Sequence, residues 1–179
     1  MVYVLLAPGF EEIEALLPVD VLRRAGVKVQ TVGVPERTVT GSHGITIECD
    51  ISLAQVERQE LEMIILPGGM PGAANLGQSS CVRELAEYCV TQGLWIGAIC
   101  AAPMVLGRWG LLSGRRATCY PGFQEELLGA EYTAASVEQD GSFITGNGPG
   151  SALSFALQLT EVLKGKETVR SIQESMGCS

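Results

Sequence analysis

The residue best suited to covalent chemistry in this chain of 179 residues is Cys100. It closes the apolar run 94–99, which reads as a short strand. It precedes Ala101, Ala102 and Pro103, the early positions of a helix. Proline is at home in a first helical turn, where its missing N–H costs nothing. A thiol at such a joint faces unpaired backbone N–H groups and the positive end of the helix dipole, and both favour thiolate. Gly97, Ala98, Ala101 and Ala102 leave the room that a tight strand-to-helix turn needs. This is the arrangement of a nucleophile elbow, with sulfur in place of a hydroxyl. Most cysteines in apolar surroundings are inert packing, so the case for Cys100 rests on what surrounds it.

A cysteine nucleophile needs activation, charge stabilisation and space for a substrate. Glu11, Glu12 and Glu14 follow the first apolar run. Glu14, one turn into its helix, is the candidate proton carrier, since a protonated carboxyl can hydrogen-bond a thiolate and move protons. Glu11 and Glu12 read as solvated helix-start charges. The backbone N–H groups of Gly69 and Ala101 are the natural oxyanion donors. The lone imidazole, His43, sits in a hairpin tip and reads as exposed and idle. Tyr120 follows a later strand and either borders the site or packs. The stretch Gly146-Asn-Gly-Pro-Gly150 lacks the residues of a phosphate-binding loop and reads as a loop feeding a helix cap at Ser151. One histidine and the absence of any C-x-x-C pair argue against a zinc site by spacing.

The elements that position these groups follow from hydrophobic periodicity. Residues 2–6, 27–34, 62–66 and 94–99 read as buried strands. Helices are expected over 11–25, 79–92, after Cys100, and over 151–163 and 166–176. Pro18 is expected to kink or break the first of these. Residues 38–49 read as a hairpin, 115–120 as a strand, and Asp140-Gly141 as the turn of a second hairpin. Residues 72–77 read as loop or short helix, and the tail 177–179 as frayed. Strands alternating with helices predict a single α/β domain over residues 1–179, with a mostly parallel sheet and helices on both faces. In such sheets ligands bind beyond the carboxyl ends of the strands, where Glu14, Gly69 and Cys100 all fall.

The formal net charge of −8 disfavours general binding to nucleic acid or anionic membranes. With no signal-peptide pattern and no apolar run long enough to span a membrane, the chain reads as cytoplasmic, its six cysteines reduced.

Four motifs, Ala7-Pro-Gly-Phe-Glu-Glu-Ile-Glu14, Leu66-Pro-Gly-Gly69, Ala98-Ile-Cys-Ala-Ala-Pro103 and Gly148-Pro-Gly150, occur in an order that resembles the ThiJ/PfpI superfamily. They most resemble its branch of the parkinsonism-associated protein deglycase and bacterial relatives, and the likeness runs from the first strand to about Lys166. The resemblance implies a flavodoxin-like three-layer sandwich and a homodimer with the first helix at its interface. It implies Cys100 as the reactive cysteine, Glu14 as its protonated partner, and Gly69 and Ala101 as oxyanion donors, with no cofactor. The implied function is a cysteine-dependent glyoxalase or protein deglycase acting on small reactive carbonyls or glycated protein through a Cys100 hemithioacetal. The alternative it carries is an oxidative-stress sensor or chaperone that uses Cys100 oxidation without turnover. Tyr120 stands where many relatives have histidine, which leaves activation to Glu14 and the helix terminus. Peptidase and glutamine amidotransferase readings lack their histidines, because Ala101 follows the cysteine and no histidine follows His43.

Overall fold

The computed structural model describes residues 1–178. Strand β1 (Val2–Leu6) leads into helix α1 (Glu12–Arg24) and strand β2 (Val29–Gly33). A hairpin of β3 (Thr38–Thr40) and β4 (Thr46–Glu48) follows, then the edge strand β5 (Ile51–Ser52) and β6 (Met63–Leu66). Helices α2 (Gly72–Gln78) and α3 (Ser80–Gln92) precede β7 (Trp95–Ile99) and α4 (Pro103–Arg108). The remainder adds β8 (Arg116–Ala117), β9 (Glu131–Tyr132), β10 (Val137–Asp140), β11 (Phe143–Gly146), α5 (Ala152–Lys164) and α6 (Lys166–Ser175).

Seven strands form one sheet in the order β10-β11-β7-β6-β1-β2-β5. All neighbours are parallel except the edge pair β10 and β11. From β1 the chain winds outward to β2 and β5 on one side, and to β6, β7 and β11 on the other. The strand order therefore switches between β1 and β6, and their carboxyl ends open the crevice in which such sheets bind ligands.

Period-two alternation along β1 explains the two cores. Tyr3 and Leu5 face a layer built from α2, α3 and α4, with Leu76, Leu85, Ala86 and Val105 packed on Ile64, Leu66 and Ile96. Val2, Val4 and Leu6 face the opposite layer, where Ala15 and Leu22 of α1 and Phe155 and Leu159 of α5 cover Met63 and Ile65. Helix α6 adds Ile172 against Val21 and Ala156. The result is a flavodoxin-like α/β three-layer sandwich.

Local signals act as their chemistry dictates. The Ser79 hydroxyl accepts from the Val82 N–H at 3.3 Å and caps α3, and Gly93 ends it in the left-handed conformation at φ +66°. Asp140 pairs with Phe143 across the two-residue turn of the second hairpin.

Four expectations need correction. Of the kink or break expected at Pro18, the break does not occur: α1 runs through it from Glu12 to Arg24 with Pro18, Val19, Val21 and Leu22 buried. The strand expected over 115–120 shrinks to Arg116–Ala117, because it lies outside the main sheet and pairs only with the two-residue β9. Helix α4 is six residues long and starts at Pro103, so Ala101 and Ala102 lie before it and not within its first turn. In the expected frayed tail, Gly177 and Cys178 donate backbone hydrogen bonds to Glu174 and Gln173 at 3.1 and 2.9 Å, while Ser179 lies outside the described residues.

Candidate active site

Cys100 follows β7 directly and takes φ +64°, a left-handed conformation that side chains with a Cβ rarely adopt. Two backbone bonds hold it there. Its N–H donates to the Gly146 carbonyl at 2.9 Å, and its own carbonyl accepts from the Tyr120 N–H at 2.8 Å. The strain is local to the one residue whose thiol is directed out of the sheet, as at a nucleophile elbow.

Glu14 comes to the same point from the third position of α1. Its side chain is fully buried, and Oε2 accepts from the Gly68 N–H at 2.9 Å. A Cβ placed on Gly68 would lie 2.6 Å from both Cys100 Cβ and Glu14 Oε2. Gly68 is therefore the gap in which thiol and carboxyl meet. Oε1 of Glu14 is buried with no hydrogen-bond partner. An unpartnered buried charge is costly, so the carboxyl favours its protonated form. Burial pushes Glu14 up to about 7, although its contacts with Cys100 and the Gly68 N–H pull the other way.

The thiol responds in kind. Burial first, and then the charge and hydrogen bonding of Glu14, push Cys100 up to about 12, against a downward pull from the N–H groups of Gly69 and Ala101. That balance belongs to an ionised Glu14. With the proton on Glu14 the like charge disappears and the carboxyl becomes a donor, so both upward pushes from Glu14 are removed and burial of the thiol is opposed by the two backbone N–H groups. This departs from the expectation of a thiolate favoured by a helix dipole. The short α4 begins three residues on, and the favourable N–H groups are those of Ala101 and Gly69.

All four residues singled out from sequence thus converge at the switch in strand order: Cys100 after β7, Ala101 next to it, Gly69 after β6 and Glu14 in α1. Gly69 needs its glycine. It has φ +82°, and a Cβ there would lie 2.4 Å from the Glu11 nitrogen. The loop 146–150 joins the site through the Gly146 carbonyl. Ser151 stands at the start of α5 but turns its hydroxyl back to the Gly148 carbonyl at 2.9 Å, and does not cap the helix.

Two expectations fail beside the thiol. Glu12 is not a solvated charge and His43 is not idle. Glu12 is 7% exposed and accepts from the His43 N–H at 2.8 Å and from the Ile45 N–H at 3.4 Å, with His43 Nδ1 at 2.9 Å. The β3–β4 tip is thereby strapped to the start of α1. Burial pushes Glu12 up, but the hydrogen bonds from the His43 side chain and from backbone N–H groups outweigh it and leave the carboxyl at about 2. The same bond, with the charges of Glu11 and Glu12, raises His43. Glu11, Glu12 and His43 bring three potential metal-ligand atoms within 4.8 Å of one another, the only such group among the described residues. Those atoms are engaged with each other.

The six cysteines are free. Cys49, Cys89 and Cys119 are buried, and burial pushes their thiols up to about 11, 12 and 11. No described helix is long and apolar enough to cross a membrane.

A flavodoxin-like sheet with a strained cysteine at the carboxyl end of a central strand, facing a buried carboxyl, defines a class of α/β proteins. Within that class the chain belongs to the DJ-1/PfpI family, which it matches over residues 1–162. It is 41% identical to protein dj-1beta of Drosophila melanogaster over 176 residues, 97% of this chain and 94% of that protein. The crystal structure of that fly protein superposes with a TM-score of 0.94, covering 99% of this chain and 97% of that one at 40% identity. A glutathione-independent glyoxalase of Caenorhabditis elegans is 36% identical over 90% of this chain and 87% of its own length. A deglycase of Pyrococcus abyssi is 30% identical over 91% of this chain and 99% of its own.

Proposed function

We propose that this protein is a cofactor-independent enzyme of the glyoxalase or deglycase type, acting on small reactive carbonyls or glycated protein through Cys100. The observation that carries the reading is Cys100 held at φ +64° against the buried Glu14. The glyoxalase and deglycase names of two relatives support it.

For an α-oxoaldehyde the sequence runs as follows. The Cys100 sulfur adds to the aldehyde carbon, and the carbonyl electron pair becomes an oxyanion held by the Gly69 and Ala101 N–H groups before it takes a proton. The resulting hemithioacetal loses its C–H proton, and a proton returns to the neighbouring carbon. The aldehyde carbon is thereby oxidised and the ketone carbon reduced, which leaves a thioester. Water cleaves that thioester, releasing a 2-hydroxy acid and the free thiol. The oxidant is the substrate's own ketone, so no cofactor enters. Glu14, poised to about 7 by burial, is the group that carries the protons. The enzyme works in this reading as a cytoplasmic single-domain protomer of a homodimer.

A second reading has an observation of its own. Cys100 is half-buried where Cys49, Cys89 and Cys119 are fully buried, so a mild oxidant reaches it, as it reaches the exposed Cys81 and the half-buried Cys178, while the other three stay protected. What sets Cys100 apart from Cys81 and Cys178 is the carboxyl of Glu14 beside it. That is the behaviour of an oxidative-stress sensor.

Stereospecific lactate formation from methylglyoxal, compared between wild type and Cys100→Ser, tests the proposal. Lactate from wild type and none from the variant is expected. No lactate from either moves the assignment to the sensor, which peroxide mapping of Cys100 against the other five cysteines then checks. Loss of methylglyoxal alone is no measure, because accessible thiols such as Cys81 and Cys178 trap it without turnover.

A further inference from the structure

Two large exposed side chains, a thioether and an aromatic ring, belong to the loops that hold the half-buried thiol. Met70, 49% exposed, follows the Gly69 whose N–H faces the sulfur. Tyr120, 45% exposed, is fixed by its own N–H on the Cys100 carbonyl. The Tyr120 ring rests on Gly148, where an added Cβ would lie 3.0 Å from Cδ2 and 3.5 Å from Cε2. The ring thus has a backbone floor beneath it and a face open to solvent, on a residue whose backbone is bonded to that of Cys100. The acidic groups nearby are Glu11 and Glu14, and the ion pairs of His43 are spent on Glu11 and Glu12. This rim offers π-surface and thioether, which suit an aromatic group.

We infer that Tyr120, with Met70, is the specificity-determining element of the site, and that it selects α-oxoaldehydes bearing an aryl substituent over those bearing a methyl group. The inference rests on the carbonyl-acting reading of Cys100. The aryl ring lies against the Tyr120 face while the aldehyde carbon reaches the sulfur. The rest of the chemistry is unchanged, so an arylglyoxal ends as a 2-hydroxy-2-aryl acid with the same atom balance.

The test compares kcat/KM for phenylglyoxal and methylglyoxal, read as chiral mandelate and lactate, in wild type, Tyr120→Ala and Tyr120→Phe. Wild type prefers phenylglyoxal, and the ratio falls by about tenfold in Tyr120→Ala through KM while Tyr120→Phe keeps it. A merely structural role for Tyr120, acting through the Cys100 carbonyl, lowers both substrates together and leaves the ratio where it was. That result overturns the inference and leaves the enzyme reading intact. A second measurement needs no turnover: the rate of Cys100 alkylation by phenacyl chloride relative to chloroacetone, each normalised to glutathione and followed by mass spectrometry. If neither hydroxy acid forms but the phenacyl preference is present and lost in Tyr120→Ala, the aryl rim stands and the turnover reading falls. If that preference is absent in wild type, the inference is wrong whatever the turnover.

Discussion

Glu12 and Glu14 lie two residues apart on one helix, both buried, and their environments drive them to opposite ends of the carboxylate range. Glu12 meets two backbone N–H groups and an imidazole of the hairpin tip and is held at about 2. Glu14 meets one N–H and a thiol, leaves one oxygen unpartnered, and is pushed up to about 7. Burial acts upward on both. The number of donors decides the sign, which makes Glu12 a fixed anion that fastens a hairpin and Glu14 an acid with a proton to lend.

The largest expected effect breaks the Glu14 side of this contrast. Glu14→Leu removes the proposed proton carrier and should lower kcat for stereospecific lactate formation by about a thousandfold, within the range of general acid–base contributions. In the same variant iodoacetamide alkylation of Cys100 at pH 6 slows, because the thiolate loses its donor. Unchanged reactivity there would remove Glu14 from the mechanism.

A pH series separates the two groups next. The folded value of Glu14 lies above its ordinary 4.5, so its contribution is present below pH 4.5 and is lost as the pH rises through about 7. Denaturant unfolding should show a decline of about 3 kcal/mol over that window, absent in Glu14→Leu. Glu12 runs the other way. Its contribution is present above pH 4.5 and is lost as the pH falls toward about 2.

Glu12→Gln leaves the hairpin donors without their charged acceptor and should cost about 2 kcal/mol at neutral pH, read as a Tm lowered by roughly 4–8 °C. Activity is expected to fall far less than in Glu14→Leu, and an equal loss would collapse the division of labour between the two carboxyls. The smallest effect belongs to His43→Gln. The imidazole is raised in the folded protein, so its contribution is present below its ordinary 6.5 and fades as the pH rises through the folded value. The variant should therefore unfold at a lower Tm than wild type at pH 5.5, and the difference should shrink as the pH rises.

The same pair marks the boundary of what sequence carries. The strands around the site announce themselves by apolar runs and glycine breaks, and Cys100 by the small residues and proline that follow it. Glu14 is reachable because a carboxyl one turn into the helix after β1 must hang over the sheet's carboxyl edge. Glu12 is misread because its partner lies 31 residues away at the tip of β3–β4, and periodicity says nothing about contacts of that range. A one-residue hairpin shift would have left Glu12 solvated with the same local pattern. The strand over 115–120 is misread for a related reason. Its β-prone composition is real, but pairing partners decide strand length, and only β9 is available.

The backbone at Cys100 sets the interests of the fold against those of the chemistry. A left-handed φ between two fixed hydrogen bonds suits glycine, so Cys100→Gly would ease folding by about 1 kcal/mol while deleting the thiol. Random substitution at this position therefore has a stabilising exit that ends, on the proposed function, in a silent protein. Only continued use of the sulfur would keep a lineage from taking it.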